Sequence, residues 1–159
     1  MEEGERLLER LDQARRAMQA ALIDVDTERE IYPQWTIKQI LAHIGGWDDV
    51  ATDALRAHAA GDTPRRLTAA GIDAQNAQMV AGCEALTYEQ VIGSWRLARR
   101  QLKAAISELP PEKLGEALLF PWGGKGNTAR IVAILADHEK EHAADILGTK
   151  TEEAEEEWL

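Results

Sequence analysis

The sequence predicts an all-α protein: an antiparallel four-helix bundle with a short extra helix between helices 2 and 3. Three observations lead there. Apolar residues fill 45% of the 159 positions but aromatics only 5%, so Ala and Leu, both strong helix formers, must supply the core. Apolar positions recur every three and four residues in four long segments. Those segments lack the Val/Ile/Thr/Tyr alternation of strands. A chain of this length suits one domain with a core large enough to need no staples.

Residues 3–25 carry Leu7, Leu8, Leu11, Ala14, Met18, Ala21 and Leu22, the stripe of an amphipathic helix. The stretch DVDTEREIYPQW breaks that pattern, and Pro33 marks a connection. Thr36 is placed to cap the second helix. Its stripe is Ile37, Ile40, Leu41, Ile44, Trp47, Ala51 and Leu55, and it ends near Gly61. Gly45 and Gly46 in mid-helix cost about 1 kcal/mol each relative to alanine, which predicts close approach by another helix or a ligand. Residues 72–82 read as the short extra helix. Thr87 and Gln90 form a capping box for a third long helix, which carries Val91, Trp95, Ala98, Leu102, Ala105 and Ile106 to about Leu109 and stops at LPPEKL. After the connection GEALLFPWGGKGN, Asn127 or Thr128 caps a last helix that runs to about Leu147 and closes at Gly148. The expected domain is residues 1–148, with 149–159 a solvated acidic tail.

The net charge of −10, from 28 acids against 18 bases, argues against nucleic acid or an anionic membrane as partner. No apolar run is long enough to span a bilayer, and the charged, helical N-terminus does not read as a secretion signal. The single cysteine, Cys83, forms no internal disulfide and reads as a small buried hydrophobe. Together these predict a cytoplasmic protein. The Ala-rich faces predict a homodimer. GGKGNT lacks the spacing of a phosphate-binding loop.

The chemistry concentrates in three histidines. His138 and His142, in HEKEH, are one helical turn apart and roughly 40° apart around the axis. They continue the apolar stripe of Ile131 and Leu135, so they face the interior. Such a pair is either two half-exposed, hydrogen-bonded histidines or a two-toothed metal clamp. His43 lies on the core stripe of the second helix, between Ile40 and Trp47, and with it metal ligation becomes the leading reading. Zinc, nickel, iron(II) and manganese all suit a three-imidazole site with open positions. His58 reads as a surface residue. Trp47 and Trp122 are candidate pocket walls. Glu139 and Glu141, flanking the stripe, are either hydrogen-bond partners to the ligating histidines or solvated charges.

HEKEH also fits the H-E-x-x-H signature of metalloproteases, and its inverse. Those enzymes take a third ligand downstream, where this chain offers only an acidic stretch. No strand is predicted to hold a peptide substrate, so the protease reading ranks last.

WTIKQILAHIGGWDD, GIDAQNAQMV and FPWGGKGNTARIVAILADHEKEHAADI together resemble the DinB-like proteins over about residues 5–148. The resemblance implies a four-helix bundle with a three-histidine metal site. It makes His43, His138 and His142 the ligands of a divalent transition metal, and it implies a dimer. That group is similar in fold to the bacillithiol and mycothiol S-transferases and to mycothiol-dependent maleylpyruvate isomerase. The resemblance therefore implies a low-molecular-weight thiol as co-substrate and a small-molecule electrophile as substrate. A metal-dependent thiol S-transferase, or a hydrolase at the same site, is the expected function. The alternative is a non-enzymatic metal- or ligand-binding dimeric bundle.

Overall fold

The computed structural model describes residues 2–158, and their side chains as far as residue 150. Four long helices form the bundle: α1 (Glu3–Ala21), α2 (Ile37–Ala59), α4 (Tyr88–Glu108) and α6 (Thr128–Trp158). The short helices are α3 (Ala69–Gly82) and α5 (Pro111–Gly115), and a two-residue antiparallel pair joins β1 (Leu118–Leu119) to β2 (Lys125–Gly126). Among the described residues no helix is long and apolar enough to cross a membrane.

The expected caps form at α2, α4 and α6. Gln39 accepts the Thr36 backbone N–H at 2.8 Å. Thr87 and Gln90 exchange bonds at 2.9 and 3.1 Å, and Asn127 Oδ1 accepts the Arg130 N–H at 3.0 Å. Each satisfies backbone donors that a helix start leaves open.

Helix direction departs from a simple up-and-down bundle. Contacts between α1 and α6 advance together along both chains: Arg10 with Asp137, Arg15 with Glu139, Ile23 with Lys150. Contacts between α2 and α4 do the same: Lys38 with Leu86, Gly45 with Trp95, Asp48 with Arg99. These two pairs are parallel, and the antiparallel contacts lie between pairs, as where α2 meets α6. The connection from α2 to α4 must therefore return the chain along the bundle, and α3 makes that return.

Gly45 is where α2 and α4 touch most closely. A Cβ there would stand 3.3 Å from the Trp95 Cα, whereas one on Gly46 would meet only the flexible Met79 side chain. The mid-helix glycines thus serve helix packing.

Two apolar clusters fill the bundle. One holds Leu11, Ala51, Leu102 and Ile131; the other holds Met18, Ile40, Trp95 and Ile146. Between them lies a layer of four charged side chains, one from each long helix: Arg15, Asp48, Arg99 and Glu139. Glu139 Oε1 accepts from Arg15 Nε at 3.0 Å and Arg99 Nη1 at 3.3 Å, and its Oε2 accepts from the Trp95 indole at 3.2 Å. Asp48 accepts from Arg99 Nε at 2.9 Å. The Arg15 guanidinium lies 3.8 Å from the Trp95 ring centroid. Burial pushes the Asp48 carboxyl up to about 6 despite the adjacent Arg99. Desolvation therefore weighs heavily here, and the layer contributes register more than net stability.

Several sequence expectations are corrected. Helix α6 does not close at Gly148. It continues to Trp158, and Gly148 lacks the positive φ of a terminating glycine. The 149–159 stretch is thus helical through Trp158, because Ala and Glu propagate a helix past one glycine. Helix α3 begins at Ala69, since Thr68 accepts the Gly71 N–H at 3.0 Å and caps it early. The connection before α6 is ordered by α5 and the β1–β2 pair, whose turn uses Gly123 (φ 101°) and Gly124 (φ 94°). His58 is buried, not on the surface, and its Nε2–H donates to the Lys113 carbonyl at 2.9 Å. The sequence showed no cover over that helix end because the short α5 was not legible. Cys83 is buried as expected.

Four substitutions test this packing. Arg99→Met should lower unfolding free energy by about 3–5 kcal/mol in urea titration, because two carboxylates lose a buried partner. Arg10→Ala, which removes an exposed pair to Asp137, should cost no more than about 1 kcal/mol. Gly45→Val should cost about 1–3 kcal/mol through overpacking against the Trp95 backbone, and Gly46→Ala less, as read by thermal unfolding.

Candidate functional site

The three histidines meet where α2 and α6 face each other. His43 Nε2 lies 3.2 Å from His138 Nε2, which lies 2.9 Å from His142 Nε2. Their candidate ligand atoms all fall within 4.8 Å of one another. His43 is buried; His138 and His142 are half-buried. Burial, followed by the effect of the neighbouring imidazoles, pushes His43 and His142 down to about 4. Burial lowers His138 as well. All three rings are therefore neutral near pH 7, the form in which imidazole binds a metal.

A chain of hydrogen bonds sets the tautomer of His142. The Tyr32 hydroxyl donates its one hydrogen to Asp145. Its oxygen is then the acceptor for His142 Nδ1–H at 2.8 Å. That places the His142 proton on Nδ1 and its lone pair on Nε2, aimed at the other two rings. Burial and the Asp145 contact both raise the Tyr32 pKa, so the phenol keeps its proton.

The loop before α2 makes this possible. Ile31 N–H donates to Trp35 O at 2.8 Å and Trp35 N–H to Tyr32 O at 2.9 Å, around a turn of Pro33 and Gln34. Proline fixes the second turn position, and Gln34 takes the left-handed conformation at the third (φ 68°). The turn delivers Tyr32 to His142 and Trp35 to His43, whose ring centroids are 5.6 and 5.2 Å apart respectively.

The donor set fits a divalent transition metal. One N–H on His138 Nε2 could serve only one of its two neighbours, so at least one lone pair would still face another nitrogen. A cation satisfies all three nitrogens together. His43, His138 and His142 would hold it, and the spacing of their nitrogens suits ligation of one ion.

The remaining candidates separate. Trp47 is buried, its indole donates to Asn76 Oδ1 at 2.7 Å, and it stands edge-on to Trp122 at 6.3 Å between centroids. Both rings line a cavity that also touches His43 and His138. Glu141 borders a second cavity beside the histidines, with Tyr32 and Asp145. Glu139 is a correction: it does not support the histidines. It is 0% exposed and its oxygens are taken by Arg15, Arg99 and Trp95. One residue along a helix turns the side chain by about 100°, which carries position 139 from the α2-facing side into the bundle centre. This also removes the H-E-x-x-H protease geometry, which needs that glutamate beside the metal.

Sequence reasoning missed Tyr32, Asn76 and Asp145. Asp145 had a signal: it lies three residues after His142 and so shares its face. Tyr32 lies in an irregular loop, where no periodicity points to it, whereas Trp35 opens the WTIKQILAHIGGWDD segment that carries part of the family resemblance.

The family model described as the DinB superfamily matches residues 10–146. No curated protein matches the chain in sequence. Among solved structures, the crystal structure of mycothiol-dependent maleylpyruvate isomerase superposes with a TM-score of 0.70 at 17% identity, covering 92% of this chain. A point mutant of that isomerase gives the same values. This chain spans 63% of the isomerase's length, and at that identity the likeness is one of fold. The family match covers all three histidines and both halves of the charged layer, and the chain belongs to the DinB superfamily.

Proposed function

We propose that this chain is a metal-dependent enzyme that transfers a low-molecular-weight thiol onto a small electrophile at His43, His138 and His142. The observation that carries the reading is the convergence of three neutral imidazole nitrogens, one of them oriented by the Tyr32–Asp145 pair. The thiol component is supported by the fold shared with an isomerase that is mycothiol-dependent by name.

A divalent cation held by the three histidines would supply positive charge that favours the ionised form of a thiol placed beside it. The chain's own residues do the rest. Tyr32 and Asp145 keep the His142 lone pair aimed inward. Trp35 packs edge-on against the His43 ring and limits its rotation. Burial in the charged layer keeps the Glu139 carboxylate from competing for the cation. The cavity beside Tyr32 and Glu141 gives solvent a path to take the thiol proton. The sulfur electron pair forms the new S–C bond, and the electrophile's leaving group departs with the displaced pair.

Protein purified without a histidine tag should carry about one transition-metal ion per chain by elemental analysis, from a site of this donor type. His43→Ala and His138→Ala/His142→Ala should each lose it. Wild type that retains no metal after incubation with zinc, nickel or manganese would overturn the reading. A panel of thiols and electrophiles should then show turnover that disappears with the metal. Tyr32→Phe deletes the acceptor of His142 Nδ1–H and should weaken metal binding by about 10–100-fold in chelator competition, with the fold intact. Glu139→Gln should instead lower stability and leave metal affinity near wild type.

A further inference from the structure

Two cavities of opposite chemistry flank the histidine cluster, and His43 and His138 line both. The first, about 440 Å³, is bordered by Tyr32 and the carboxylates of Glu141 and Asp145. The second, about 250 Å³, lies between Trp47 and Trp122, opens to solvent, and is bordered by Ile72 and Asn76 of α3 and by Ile134 and Leu135 of α6.

We propose that the second cavity selects the electrophile: its protein walls take an uncharged aromatic or compact aliphatic body carrying one polar acceptor atom in preference to a carboxylate of the same shape. The assignment of this ligand as the electrophile rests on the thiol-transfer reading; the binding preference does not.

Size comes first. A dry cavity of about 150 Å³ with apolar walls is enough to bind benzene, so this one has room for a ring and a short substituent. Its walls suit such a group. Trp47 and Trp122 stand edge-to-face, leaving an indole face and an indole edge to meet a flat ring.

The polar complement is small. Asn76 Oδ1 is already taken by the Trp47 indole. His43 is more than nine-tenths buried; its Nδ1 makes no hydrogen bond of good geometry, and Asn76, on the same cavity wall, is the polar side chain that interacts with the ring from this side. A buried nitrogen of this kind calls for one complementary polar atom, and a ligand in the cavity that His43 lines can supply it.

The charges of the chain's own side chains disfavour acids. None of the residues lining this cavity carries a positive charge. Arg66 packs near Gly123, next to Trp122, but does not line the cavity. Across the histidines, Glu141 and Asp145 add negative potential. A carboxylate against these walls would lose part of its hydration and find no ion partner among the lining side chains.

The test compares benzyl alcohol with benzoate, which share a ring and differ in charge, by calorimetric titration and tryptophan fluorescence. Both the metal-loaded protein and the same protein after chelation are titrated, so that coordination of benzoate by a cation is read separately. Benzyl alcohol should bind both forms, and in the chelated form at least about tenfold more tightly than benzoate, a gap of one decade in Kd. Trp122→Ala should weaken alcohol binding. So should Ile72→Trp, which fills the cavity from α3; Ile72 packs against the rim of the core but is not itself fully buried, so the fold of this variant is checked by thermal unfolding. Benzoate binding as tightly as the alcohol in the chelated protein would overturn the proposal, as would alcohol binding unchanged in both variants. Alcohol binding in a protein that never retains metal would keep this pocket and remove the metal reading. Metal retained with no alcohol binding would do the reverse.

Discussion

Every other feature depends on one layer of four buried charges. Arg15, Asp48, Arg99 and Glu139 come one from each long helix, and they alternate in sign. A wholly apolar interface can slide by a turn at modest cost, because Leu and Ala pack against many neighbours. A buried carboxylate that must meet two guanidinium groups cannot slide without stranding a charge. The layer thereby fixes the axial register of all four helices. Glu139 and His138 are consecutive residues, and Asp48 lies on the same helix as His43. The register that pairs the charges is the register that brings the three imidazoles together.

Helix α6 shows why part of this was legible and part was not. Ile131, Leu135, His138 and His142 form a spaced stripe, and the sequence reading took it as the buried face. That stripe does face α2. A second stripe, Val132, Ala136, Glu139, Ala143 and Ile146, is buried more completely and faces the bundle centre. A glutamate in that series reads as a break in the pattern and hence as a solvated charge. The same holds for Arg15, Asp48 and Arg99: charges at core positions imitate surface positions until their partners are known, and the partners lie on other helices. The histidines stood out because histidine is scarce here and two independent stripes each contained one or more. The loop residue Tyr32 had no such context, since a turn sets its direction and no periodicity does.

The bundle topology follows a similar logic. The links between the long helices are not short: residues 22–36 join α1 to α2, and residues 109–127, with α5 and the β1–β2 pair, join α4 to α6. Between α2 and α4 the chain must travel back, and α3 is the means. That helix buries none of its residues, yet it brings Ile72 and Asn76 to the cavity beside the histidines. An element with little core of its own thus forms one wall of the candidate site. The remaining walls belong to α2, to α6 and to the loop carrying Trp122, all anchored more deeply.

The pairing of α1 with α6 joins the first long helix to the last. Arg15 and Glu139 are 124 residues apart along the chain. During synthesis, α1 therefore presents much of its apolar stripe until almost the whole domain has been made, and Arg15 has only Asp48 and Trp95 to meet before Glu139 arrives. Contacts of such long range close late, since the loop entropy between them must be overcome first. Helices α2 and α4 can meet earlier, bringing Asp48 to Arg99. The last helix then arrives carrying two of the three histidines and the carboxylate that both arginines await. The candidate site is thus a late product of folding, completed by the step that closes the bundle.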